Sequence, residues 1–167
     1  MTLIASPHTC ESMHLGQPVK HHDSVANGCR SRHELIRIIG VWNVFQFEAA
    51  TIARNRARKP GLRHFAEHVW LDHAVATERL LAAAGHELVP TSLDKFHNVL
   101  LEELAGSPDD EFEPLYIAQQ QSAAATAYGV LNEYVQQGED QQLQDFCREM
   151  LQRVVLHGDM IARLTST

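Results

Sequence analysis

Leu35, Ile38, Ile39, Trp42, Phe45, Ala49 and Ile52 recur at steps of three and four residues. That spacing restricts the segment to a helix with one buried face. The period returns three times more. Phe65, Ala66, Val69, Ala76, Leu80 and Ala83 mark a second stripe over about 62–84, and Tyr116, Gln120, Ala124, Ala127 and Leu131 a third over about 110–137. Leu143, Phe146, Cys147, Met150, Val154, His157 and Ile161 mark a fourth that runs to Leu164. No stretch alternates apolar and polar residues as a half-buried strand would. Long amphipathic helices bury such stripes against one another, so the chain is expected to be all-α, a four-helix bundle with a short extra helix in its middle connection.

Local signals place the ends. Ser31 can cap the first helix while Glu34 reaches back in a capping box. The arginines of "ARNRARK" suit the negative end of that helix, and Lys59-Pro60-Gly61 stops it. Gly85 ends the second helix, and a short helix is expected over about Leu93 to Leu104. The third long helix is expected to start near Asp110, where "DDEFE" offers another capping box, with Pro114 in its first turn or so. "QGED" is the last turn. About 25 residues separate the second and third long helices, and a 12-residue helix alone spans about 18 Å, so this connection can run back along the bundle. A crossover of that kind is the ferritin-like arrangement.

At 167 residues the chain fits one domain with a sizeable core. A formal charge of −7 argues against nucleic acid as a partner, although the basic residues gather at Arg54 to Arg63. No stretch is expected to cross a membrane, and the first residues lack a signal-peptide pattern. Cysteines 10, 29 and 147 do not settle the redox compartment; Cys147 sits on an apolar stripe and reads as a small core residue. Residues 1–30, with His8, His14, His21 and His22, have no helical period and are expected to be disordered, leaving 31–165 as the bundle.

The polar residues on the apolar stripes are Glu48, His73, Gln120 and His157. Glu48 lies eleven residues before the Lys59 turn and His73 twelve after Gly61, which puts both about 16–18 Å from that turn. His157, seven residues before Leu164, falls at a similar level in the crossover topology. One carboxylate and two imidazoles admit two readings. They can form a hydrogen-bonded structural cluster, or a mononuclear metal site of Glu48, His73 and His157 resembling a two-His-one-carboxylate triad, with one transition-metal ion as the cofactor. Di-iron bundles need Glu-x-x-His on two helices, and none of these helices has it, which disfavours a dinuclear centre. His64 and His68, four apart beside Arg63 and Glu67, read as a solvated face. No phosphate loop, nucleophile elbow or Cys-x-x-Cys is present, so no catalytic residue is assigned.

"FQFEAATIARNRARKPGLRHFAEHVWLDHAVATERL" resembles the opening hairpin of the bacterial domain-of-unknown-function family 4142, which is ferritin-like. The likeness rests on Glu48-Ala49-Ala50, Phe65-Ala66 and Asp72-His73, then on Phe112, Tyr116 and Gln120, and on His157 in "LQRVVLHGDMIARL". It covers about residues 33–164. The family usually has a histidine eight residues after that tyrosine, where this chain has Ala124. The expectation is an uncharacterised, non-enzymatic protein with a stress- or envelope-related binding role, acting on a protein or small-molecule partner or as a homo-oligomer. The alternative is a metal-binding protein using Glu48, His73 and His157 for redox chemistry. The resemblance implies an envelope location, whereas the N-terminus by itself reads as cytoplasmic.

Overall fold

A computed structural model describes residues 30–166. Its helices are α1 (Arg32–Arg56), α2 (Pro60–Ala84), α3 (Lys95–Gly106), α4 (Asp109–Gln137) and α5 (Gln141–Thr165), and the described residues contain no strand. The histidine-containing segment 1–29, where disorder was expected, lies outside the described residues.

Several ends form as their side chains dictate. The Glu34 N–H donates to Ser31 Oγ at 3.2 Å, and the Leu143 N–H donates to Asp140 Oδ1 at 2.9 Å. Gly85 closes α2 at φ 65, a conformation that glycine adopts without a Cβ clash. Two starts differ from expectation. α3 begins at Lys95 because Asp94 caps it, accepting from the His97 N–H at 2.9 Å. α4 begins behind Pro108 with no side-chain cap, and Asp109, Asp110 and Glu111 in its first turn favour the helix dipole in place of a capping box. Pro114 lies past that first turn, inside the helix, and its missing N–H leaves the Asp110 carbonyl without its intrahelical donor.

Each long helix packs mainly on two other long helices, in the order α1–α2–α5–α4 and back to α1. Arginines mark the two ends. Arg32, opening α1, bonds Glu87 at 2.6 Å, the Ala83 and Ala84 carbonyls at 3.1 and 2.7 Å, and Asp140. Arg56, closing α1, bonds the Leu104, Ala105 and Ser107 carbonyls at 3.0, 2.9 and 2.7 Å and Asp109 at 3.2 Å. The end of α2 and the start of α4 therefore lie at opposite ends of the molecule. These two helices run parallel, and residues 85–108 traverse its length, with α3 packing on α1 and α4 on the way.

Arg54 and Arg56 lie in the last turn of α1, where the sequence reading placed them as a dipole complement. Arg56 in addition joins the end of α3 to the start of α4, and its guanidinium also lies 4.3 Å from the Phe112 ring centre. By length and composition alone α1 would also suffice to cross a membrane. Its apolarity has another use in this fold: Leu35, Ile36, Ile39, Ala49, Ala50 and Ala53 are fully buried, because α1 packs against three other helices.

The apolar core comes in two parts. One contains Leu35, Ile39, Trp42, Leu80, Leu131, Leu143 and Met150, together with Cys147, whose thiol burial pushes up to about 12. The other contains Phe45, Phe65, Val69, Leu104, Phe112, Tyr116 and Ile161. Half-buried Ala123 touches both.

Candidate functional site

The boundary between the two apolar parts is polar on all four long helices. It falls between Trp42 and Phe45 on α1, Val69 and Ala76 on α2, Tyr116 and Ala127 on α4, and Val154 and Ile161 on α5. Within these boundaries or next to them sit Asn43 and Gln46, Asp72 and His73, Gln119 and Gln120, and His157. All of them are buried except Asp72, which keeps 19% of its side chain exposed and so forms the layer's contact with solvent.

The layer's two imidazoles are held differently. His73 is 1% exposed; its Nδ1–H donates to Asn43 Oδ1 at 2.8 Å, and its ring meets Trp42 edge-on at 4.6 Å. Burial, aided by His157 and Arg153, pushes its pKa down to about 3, so it is neutral. His157 donates from Nε2–H to Asp72 Oδ2 at 2.9 Å and meets Phe65 edge-on at 5.9 Å. Burial lowers its pKa too, against the opposing pull of the Asp72 carboxylate. The two ring centres are 6.1 Å apart. Asp72 also accepts from Arg153, which lies 3.5 Å from Glu149, and Glu149 pairs with Arg79. A chain of charge thus runs from the surface of α2 and α5 to the edge of the layer and stops at a neutral histidine.

Several buried groups here make no hydrogen bond among the described residues: Trp42 Nε1, Asn43 Nδ2, Gln46 Oε1, Tyr116 OH, Gln119 Oε1 and Gln120 Nε2. Gln119 Nε2 donates to the Leu100 carbonyl at 2.9 Å and so ties the layer to α3. Burial alone raises the Tyr116 phenol far above its ordinary pKa.

The structure brings His73, His157 and Gln120 inward, as their stripes require. It does not bring Glu48 to them. Glu48 is exposed, and it lines a surface groove between α1 and α2. Helix geometry explains the miss: residues advance about 100° each, so Gln46, turned inward, faces roughly 160° away from Glu48. The inward polar residues of α1 are Asn43 and Gln46, and the carboxylate beside the histidines is Asp72. The signal for Asn43 and Gln46 was their position next to Trp42 and Phe45 at the centre of the stripe. Among the described residues, no three His, Cys, Asp or Glu side chains gather closely enough to hold a metal ion. His64 is exposed and His68 half-buried, their rings edge-on at 4.6 Å.

The model of one family, described as a domain of unknown function, DUF4142, matches residues 17–164. The chain belongs to this family. The match starts well before Ser31, earlier than the resemblance read from the sequence, and it contains every residue of the polar layer. Searches of curated proteins and of solved structures each gave no match. For this DUF4142 chain, then, any functional reading has to be carried by its own side chains.

Proposed function

We propose that this protein is a ferritin-like four-helix bundle that acts by binding rather than by catalysis, and that its polar layer fixes how the helices meet. The ferritin-like reading draws on the parallel α2 and α4 joined by a connection that crosses the whole length. The single observation that carries the rest is the commitment of the two imidazoles: His73 Nδ1–H to Asn43, and His157 Nε2–H to Asp72. Each bond reaches another residue of the layer; α2 slipped by one turn would break both, and α1 or α5 slipped by one turn would break one, leaving buried polar groups unpaired. Buried polar groups used to set register have precedent in helical assemblies. A stress- or envelope-related setting for the binding role comes from the family resemblance alone.

One observation favours a second reading, a mononuclear metal site. Both imidazoles are neutral, the form that ligates metal, and each keeps one ring nitrogen not used in the bonds above. In that reading His73 and His157 would be ligands and Asp72 would take the carboxylate role first given to Glu48. Metal analysis of protein purified without an affinity tag separates the two. The structural reading expects substoichiometric metal and equal unfolding curves with and without added zinc, manganese or iron(II). One tightly held ion per chain, lost in both His73→Gln and His157→Gln, would establish the metal site instead.

A further inference from the structure

On the outer side of α1 and α2 lies a groove of about 440 Å³, walled by Val44 and Phe47 from α1, Leu81 from α2, and Val89 and Pro90 from the segment after α2. That size is within the range of small-molecule sites, roughly 300–1,000 Å³. Leu81 is 50% exposed there, so apolar surface is left uncovered. Pro90 sits tight on α1: a Cβ built on Gly40 would lie 2.6 Å from its ring, so a glycine is needed for this approach.

One buried polar side chain interrupts the apolar lining. Asn43 is 2% exposed; its Oδ1 accepts from His73 Nδ1–H at 2.8 Å, and its Nδ2 has no partner among the described residues. The unpaired acceptors of the layer, Gln46 Oε1 and Gln119 Oε1, do not bond to it. The Thr77 hydroxyl, also in the lining, is committed to the His73 carbonyl at 2.9 Å. A buried N–H without an acceptor bears the whole cost of its desolvation, so the groove offers a donor that an acceptor entering from outside would satisfy. The charge of that acceptor is restricted too. Glu48 and Glu78 line the groove and are exposed, and no Lys or Arg lines it. Each carboxylate by itself repels an anion, and an ammonium has no lone pair to offer Asn43.

We propose that this groove binds a small neutral molecule with a carbonyl oxygen on an apolar body, a fatty amide being the simplest. The carbonyl accepts from Asn43 Nδ2–H, and the body covers Val44, Phe47 and Leu81. Since the same amide holds His73 through Oδ1, one side chain serves both the ligand and the polar layer. The proposal rests on the binding role above and supplies its site and ligand class.

The test is calorimetric titration of the full chain, at low ionic strength, with heptanamide, heptylamine and heptanoate, which share one chain length. Heptanamide is expected to bind at one site, about tenfold or more tighter than either of the others. In Glu48→Gln/Glu78→Gln, heptanoate should gain affinity while heptanamide keeps its own. Gly40→Ala, which displaces Pro90, should weaken heptanamide. Asn43→Asp keeps an oxygen for His73 but removes the donor, and should abolish the preference for amide over amine. A readout on the unaltered protein needs no variant to fold: saturating heptanamide should shift the Asn43 side-chain N–H resonances downfield in nitrogen-correlated NMR spectra, and heptylamine should not. Heptanamide bound no tighter than heptylamine, Asn43 resonances unmoved at saturation, or no saturable binding would each overturn the proposal. A chain that holds no metal and ignores heptanamide would sink the groove alone, whereas one ion per chain in the metal assay would sink the binding reading itself.

Discussion

The apolar half around Phe45, Phe65 and Phe112 and the polar layer beside it are built by the same helices, a turn apart, yet different physics holds them. Phe45 and Phe65 are each about 1% exposed and are stabilised by removal from water, with no directional requirement. Asn43 and His73 are equally buried, and for them burial is a cost that their mutual hydrogen bond only partly offsets. The apolar half tolerates imperfect geometry and the layer does not. Stability therefore belongs mainly to the first region, and choice of helix register to the second.

This contrast has measurable consequences. The largest effect should come from the apolar half: Phe45→Ala should cost about 3–5 kcal/mol in urea unfolding, the transfer and cavity terms together. A cost below about 1 kcal/mol would mean that the half-core is loosely packed.

In the layer, His73→Leu leaves the Asn43 amide wholly unpaired and should cost about 1–3 kcal/mol. The Asn43→Leu/His73→Leu double variant should cost less than the sum of its singles, because no buried partner is stranded. The corresponding cycle for Glu48→Gln and His73→Gln should be additive, since the structure keeps these residues apart. Coupling between them would return Glu48 to the layer.

Acid should weaken the layer selectively. His73 has a folded pKa of about 3, against 6.5 for its ordinary value, so only the unfolded chain takes up its proton between those values. Its contribution is complete above about pH 6.5 and is lost progressively as pH falls toward about 3, by at most about 1.4 kcal/mol per pH unit. The lowered pKa of His157 acts with the same sign. His73→Gln should flatten the decline of stability measured between pH 6.5 and 4.5; an unchanged slope would show that His73 takes up its proton while folded.

At the molecule's ends the effects should be smaller. Arg56→Gln should cost about 1–2 kcal/mol, because it leaves the α3 carboxyl-terminal carbonyls without their charged donor. Arg58→Gln, at an exposed side chain, should cost less than Arg56→Gln in parallel thermal melts. The smallest effect is expected for Glu48→Gln, within about 0.5 kcal/mol, as for other exposed positions without structural partners.

Much of this was legible before any coordinates. The stripes gave α1, α2 and α5 nearly to their ends, and the Ser31 cap and Gly85 are local decisions within a few residues of chain. His73 and His157 were legible as inward residues because each has an apolar neighbour three or four positions away on both sides, Val69 and Ala76 for His73 and Val154 and Ile161 for His157. Glu48 shows where that reasoning fails. It also lies near apolar residues, Phe45 and Ile52, but α1 turns its buried arc toward α2, α3 and α4 and leaves Glu48 outside it. Which sector of a helix is covered depends on how many helices surround it, and a stripe three residues wide does not encode that number.

The sequence by itself determined the number and type of elements, their caps, and the presence of polar residues midway along each long stripe, because these follow from chemistry within a turn or two of helix. Only the tertiary structure decided which of those polar residues meet. Asn43 and His73 are 30 positions apart and Asp72 and His157 are 85, and their hydrogen bonds exist because four helix rotations and one crossing connection bring them to a common level. No local propensity specifies such rotations; they depend on how all four helices pack at once, the two apolar halves together with the layer between them.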